Sequence, residues 1–206
     1  MAEQAALSRQ SALAAALRQP GRAGSDGSQR LRLGEVRGWN LVQVAAFAST
    51  GAELERVVSA ALGVPSLPDK IGKVGEAGVR RIFRTGPEQF WITAPSADNL
   101  ASRLQEVVPA PMGAVTSLSH SRTRIFIEGE PVREVLARSI PLDFHPSVFA
   151  VGQFALSGIH HTPVLVHRAG EQRFEIYAMR TFALSVWDWL SDAALVFGYE
   201  VEPPQT

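Results

Sequence analysis

The sequence predicts an α+β fold made of two ferredoxin-like (split βαβ) lobes. Three observations lead there. Short apolar runs with a period of two recur as candidate strands, and amphipathic stretches of helical period fall between them. The order strand, helix, strand, strand, helix, strand is complete by residue 120 and begins again at residue 122.

The first lobe is expected over residues 39–120. NLVQVAAFA (40–48) reads as a buried strand. Thr50 and Glu53 have capping-box spacing and open a helix through Leu54, Val57, Val58 and Leu62, with Gly63 at its end. VRRIFRT (79–85) and QFWITA (89–94) flank Gly86 and Pro87 as a hairpin. Ser96 is placed to cap a helix carrying Leu100, Leu104, Val107 and Val108, which Pro109 stops, and GAVTSLSH (113–120) supplies the closing strand.

The second lobe is expected over residues 121–201. RTRIFIEG (122–129) precedes a helix with Pro131 in its first turn and Val132, Val135, Leu136 and Ile140 on one face. A shift of 78 residues carries Gly51, Leu54, Val57, Val58 and Leu62 onto Gly129, Val132, Val135, Leu136 and Ile140, the mark of a weak internal repeat. Strands QFALSGI (153–159), PVLVHR (163–168) and RFEIYAM (173–179) follow, and then a helix from Thr181 to Phe197 ended by Gly198.

Residues 1–38 read as an N-terminal arm and flexible tether, and 202–206 as a tail. Leu7, Leu13 and Leu17 among alanines form a narrow helical stripe before PGRAGSDGSQ, so residues 1–20 are either an arm that orders on a partner or a frayed terminus.

The last helix is apolar nearly all round. Phe182, Val186, Trp189, Leu190, Ala193 and Phe197 share the face that a sheet would bury, which leaves Leu184, Trp187 and Leu195 as interface candidates. That second stripe either docks another chain or is sandwiched between the two lobes of this one.

Composition narrows the function. Lys plus Arg and Asp plus Glu both number 20, so no global positive field favours nucleic acid. No apolar run reaches the ~18 residues a membrane helix needs, and the N-terminus lacks the basic start and unbroken apolar core of a secretory signal, so a cytoplasmic location is expected. With no cysteine there is no thiolate chemistry and no disulfide framework.

The remaining motifs are weak. His160, His161 and His167 are close in sequence, but adjacent strand residues point to opposite faces and no acid completes a zinc tetrahedron. GKVGEAG (72–78) lacks the ending of a phosphate loop and reads as a mobile loop. The serines at 117, 119 and 121 form no nucleophile elbow, and Asp143 with His145 sits in a turn. Arg80, Arg81, Arg84, Arg122 and Arg124 read as solvated faces or carboxylate partners. No catalytic, cofactor-binding or metal-ligating residue is assigned.

The strings LDFHPSVFAVG (142–152), HHTPVLVHR (160–168) and RTFALSVWDWL (180–190) resemble the gamma subunit of heterotetrameric sarcosine oxidase, and the similarity extends over about residues 39–201. The resemblance implies a fold similar to folate-binding aminomethyltransferase-type domains. It further implies a non-catalytic structural role beside alpha, beta and delta subunits, in a complex that oxidatively demethylates sarcosine to glycine with formation of hydrogen peroxide and passes the one-carbon unit to tetrahydrofolate. FAD, FMN, NAD and zinc would then reside on the other subunits and none on this chain. The alternative is a free-standing folate-binding one-carbon enzyme of aminomethyltransferase-like fold.

Overall fold

A computed structural model describes residues 10–206. Eleven strands and four helices alternate along them: β1 (Leu31–Val36), β2 (Trp39–Ala46), α1 (Gly51–Leu62), β3 (Val74–Ala77), β4 (Arg80–Gly86), β5 (Gln89–Pro95), α2 (Leu100–Val107), β6 (Gly113–Ser117), β7 (Arg122–Glu128), α3 (Val132–Ser139), β8 (Phe154–Ile159), β9 (Thr162–Gly170), β10 (Arg173–Met179), α4 (Ala183–Ala194) and β11 (Tyr199–Val201).

The strands form two sheets, ordered β3-β4-β5-β2-β6 and β11-β1-β7-β10-β9-β8. In the first, β2 lies between β5 and β6 and pairs antiparallel with both, so β4-β5-β2-β6 has the strand order of a split βαβ unit, with β3 added at its edge. In the second, β9-β10-β7 repeats that plan.

Side-chain alternation explains the layering. Val42, Val44, Ile82, Phe90 and Ile92 point to one face of the first sheet and bury Leu54, Val58, Leu100 and Leu104 of α1 and α2. Ile125, Ile127, Val164, Val166, Phe174 and Ile176 do the same beneath α3 and α4. The opposite parity, Leu41, Phe83 and Trp91 from one sheet and Phe154, Leu165 and Tyr177 from the other, forms a third buried cluster. The layers are therefore helix, sheet, sheet, helix, with the two sheets face to face. Phe83 anchors this seam through edge-to-face contacts with Phe154 and Tyr177 at 5.3 and 5.5 Å.

Three segments expected to lie outside the sheets belong to them or pair with them. Residues 31–36 are not tether: β1 inserts between β7 and β11, antiparallel to one and parallel to the other. Its alternation is broken by Gly34 and by the buried Glu35, which hid it in the sequence. Gly34 is required there because a Cβ would come within 2.5 Å of the Phe126 ring on the neighbouring strand. The 202–206 segment is not a loose tail either, since Glu202 and Gln205 donate backbone N–H groups to Leu33 and Glu35 and Gln205 accepts from Arg37. Finally, GKVGEAG contains β3, which completes the edge of the first sheet.

The capping box at α1 does not form. Thr50 Oγ1 instead donates to the carbonyls of Phe47 and Met112, closing the β2–α1 turn onto the start of β6. Residues 1–9 of the expected arm lie outside the described residues. Its continuation is packed, with Leu13 and Ala16 buried in the same cluster as α4.

Candidate functional site

The interface candidates fall on α4. Its buried face is Ala183, Val186, Trp187, Leu190, Ser191 and Ala194. This stripe is rotated by about one residue from the face expected from sequence, and that moves each candidate. Trp187 is only 4% exposed and belongs to the core, which corrects its expected position outside the core. Leu195 is half-buried against the same cluster, whereas Leu184 is 47% exposed. Phe182, expected inside, is 43% exposed.

The rotation has a local cause. Ala183 and Ala194 let α4 approach the sheet closely, and the arm residues Leu13 and Ala16 join Trp187 on its flank. A groove of about 590 Å³ lined by Ala15, Gln19, Leu184 and Trp187 runs between arm and helix. α4 also lies on the outer surface of its sheet; the helix sandwiched between lobes is not observed. Gly198 (φ 68°) ends the segment in a left-handed turn, where a Cβ would come within 2.0 Å of the Ser28 carbonyl.

A second constellation occupies the seam between the sheets. Glu175 on β10, 2% exposed, accepts from Arg124 Nε and Nη2 at 3.1 and 2.7 Å and from Arg81 Nη1, across the seam, at 3.3 Å. His167 Nδ1 lies 3.4 Å from the same carboxylate oxygen, and Tyr177 Oη donates to it at 3.5 Å. Burial by itself would raise the Glu175 carboxyl; the His167 hydrogen bond and the Arg124 and Arg81 charges outweigh it and hold the group well below the usual carboxylate range. Burial lowers His167 most, Glu175 pulls it back, and the arginines oppose that, so the net direction is down. The imidazole is neutral at pH 7 and carries its proton on Nδ1, because the carboxylate can only accept. Burial likewise raises the Tyr177 hydroxyl, which stays protonated.

The cluster is an ion-paired network buried between the sheets. Its carboxylate is paired with Arg124 and Arg81 through Oε2 and faces Arg173 at 3.7 Å through Oε1, and its imidazole is 2% exposed. It joins the sheets, since Arg81 comes from β4 and Glu175 from β10. Sequence reasoning left Arg81 and Arg124 as solvated or paired and considered His167 only as a metal ligand. The available signal was parity: Arg124, His167 and Glu175 share the phase of Phe126, Leu165 and Tyr177 in otherwise apolar strands.

A pH dependence follows. The folded pKa of His167 is depressed below its ordinary 6.5, so the unfolded chain takes up a proton there that the folded chain refuses. Stability is therefore expected to fall as the pH drops below about 6.5, with a further loss from Glu175 below its ordinary 4.5. Melting temperatures measured between pH 8 and 5 should show the decline, and His167→Gln should flatten the portion just below pH 6.5. A slope identical to wild type in that window would exclude His167 as its source.

The other motifs resolve into local structure. His160 occupies a left-handed turn position (φ 50°) with its ring 4.5 Å from the Trp189 ring, pinning the β8–β9 turn to α4. Asp143 accepts the His145 backbone N–H at 2.8 Å, and the His145 ring faces Ser147. Arg80 and Arg84 are paired with Asp98 and Glu55. Ser119 and Ser121 bond backbone carbonyls. Among the described residues, no three acidic or histidine side chains are grouped to hold a metal, and no helix is long and apolar enough to cross a membrane.

Two ferredoxin-like sheets packed face to face, with helices outside, make up the fold. The glycine cleavage system aminomethyltransferase T from Bartonella henselae shares it, with a TM-score of 0.59 over 84% of this chain and 47% of that one; at 19% identity the likeness is one of fold. The sarcosine oxidase gamma subunit family matches residues 45–196, and the chain belongs to that family. It is 32% identical over 156 residues to sarcosine oxidase subunit gamma of an Arthrobacter species, covering 75% of this chain and 76% of that one. The counterpart from Corynebacterium sp. (strain U-96) is 31% identical over the same length. A chain of the heterotetrameric sarcosine oxidase from Corynebacterium sp. U-96, solved with pyrrole 2-carboxylate, superposes with a TM-score of 0.80 at 30% identity, covering 92% of this chain and 96% of that chain.

Proposed function

We propose that this chain is a non-catalytic structural subunit of a cytoplasmic heterotetrameric sarcosine oxidase, assembled with alpha, beta and delta subunits that carry FAD, FMN, NAD and zinc. The observation that carries this reading is the near-complete superposition on a chain of such a heterotetramer. The seam supports it: a free-standing folate-dependent enzyme would need an acid presented in the central cavity, and the acid between the sheets, Glu175, is bound by Arg124 and Arg81. Assembled with its partners, the complex oxidises sarcosine to glycine and releases hydrogen peroxide; the purified chain is colourless and inactive alone.

The assembly face includes Leu184, which stands beside the exposed Met179 and Phe182 where β10 passes into α4. Leu184→Glu is expected to weaken incorporation into the complex at least tenfold while changing the monomer by no more than about 0.5 kcal/mol, as for a surface position. Co-expression with the neighbouring genes, sizing of the assembly and an assay for sarcosine-dependent peroxide test the proposal. A fully assembled, active oxidase without this chain, or tetrahydrofolate binding by the chain alone, would overturn it.

A further inference from the structure

A cleft of about 210 Å³ opens where the β1–β2 connection meets the start of β7, and Arg37, Arg122, Arg124, Arg180, Glu35 and Trp39 are among its walls. The charges do not balance locally. Glu35 is 6% exposed, and its carboxylate is used by Arg37 Nε and Ser11 Oγ, each at 2.6 Å. Arg124 is committed to Glu175. Arg122 and Arg180 remain, and among the described residues neither has a carboxylate within ion-pair distance. Arg122 bonds only the hydroxyl and carbonyl of Ser121, at 3.1 and 3.3 Å, and Arg180 bonds the carbonyl of Gln10.

The Arg122 guanidinium is held in place rather than free to wander. It lies over the Trp91 ring at 5.2 Å, an arrangement that fixes the plane of its donor fork. Partial burial pulls its pKa down, the direction expected of a cation stripped of water without a counter-charge. A bound oxyanion would relieve that cost and accept two parallel N–H groups from each arginine.

Size limits the ligand. Pockets for drug-sized molecules occupy ~300–1,000 Å³, so this cleft suits a single acidic group. A neighbouring hollow of about 440 Å³ shares Gln10, Trp39, Ser119 and Arg180 with it, leaving room for the rest of a small molecule along the Trp39 face. We propose that this cleft is a binding site for a small oxyanion, the carboxylate or phosphate of a small molecule, with Arg122 and Arg180 as its ligating residues. The inference does not rest on the assembly reading above, since its site lies within one chain.

Two tryptophans report on the site, Trp39 in its wall and Trp91 beneath Arg122. The full chain is titrated with sodium succinate in one arm and inorganic phosphate in the other, at ionic strength held constant with chloride, and tryptophan fluorescence is followed. A saturable change is expected in at least one arm, and the tighter arm identifies the acidic group preferred. Arg122→Gln should weaken it at least tenfold. Arg180 is at the surface, so Arg180→Gln supplies the same readout if Arg122→Gln alters the melting temperature. Saturation in neither arm, or titrations by both variants that overlay the wild type, would overturn the proposal.

Discussion

Glu175→Gln is expected to lower the stability of the folded chain by about 3 kcal/mol or more, the range seen when one partner of a buried ion pair is removed. The reason is what remains. Arg124 has a side chain only 9% exposed and would keep its charge with no carboxylate beside it, while Arg81, one third exposed, would recover part of its hydration. For a chain of this size each kcal/mol shifts the midpoint by ~2–4 °C, so a drop on the order of 10 °C is the result to look for in thermal unfolding. Combining Glu175→Gln with Arg124→Met should restore part of the loss, because the second change removes the stranded charge. A double variant that melts lower than Glu175→Gln alone would contradict this account of the seam.

Trp187→Ala carries the second large effect. The indole is 4% exposed within the cluster that joins α4, its sheet and the arm residues Leu13 and Ala16. Truncating a buried tryptophan costs about 3–5 kcal/mol through lost burial and the cavity left behind. The melting temperature of the isolated chain should therefore fall by on the order of 10 °C. Trp187→Phe should cost less, since it leaves a smaller void. The contrast with Leu184→Glu is informative: one change acts on the monomer and the other on assembly, although the residues are three apart on one helix. An unaltered monomer with weakened assembly after Trp187→Ala would reverse the roles given to these positions.

The different fates of Leu184 and Trp187 illustrate how far one helix can be read from its sequence. A stripe on an amphipathic helix has a clear phase only when the other faces are polar. In α4 the apolar residues extend round most of the circumference, so periodicity allows several buried faces. Small residues decide among them: Ala183 and Ala194 admit close approach to the sheet, and that choice turns Trp187 inward and Phe182 outward.

The same distinction runs through the fold. Alternation within β2, β5, β7 and β10, the turn at Gly86 and the helical spacing of α1 and α3 are local properties, and they determined an α+β chain built of two related lobes. The family, too, was legible, in strings such as HHTPVLVHR. What only the tertiary structure decided depends on residues distant in sequence. β1 forms because β7 and β11 flank it and the Phe126 ring lies over Gly34. The Glu175 cluster gathers from β4, β7, β9 and β10. A strand's own sequence determines which residues share a face, but the partner that faces them is set by how the sheets pack; a buried charge is stable only once that packing brings its counter-charges within reach.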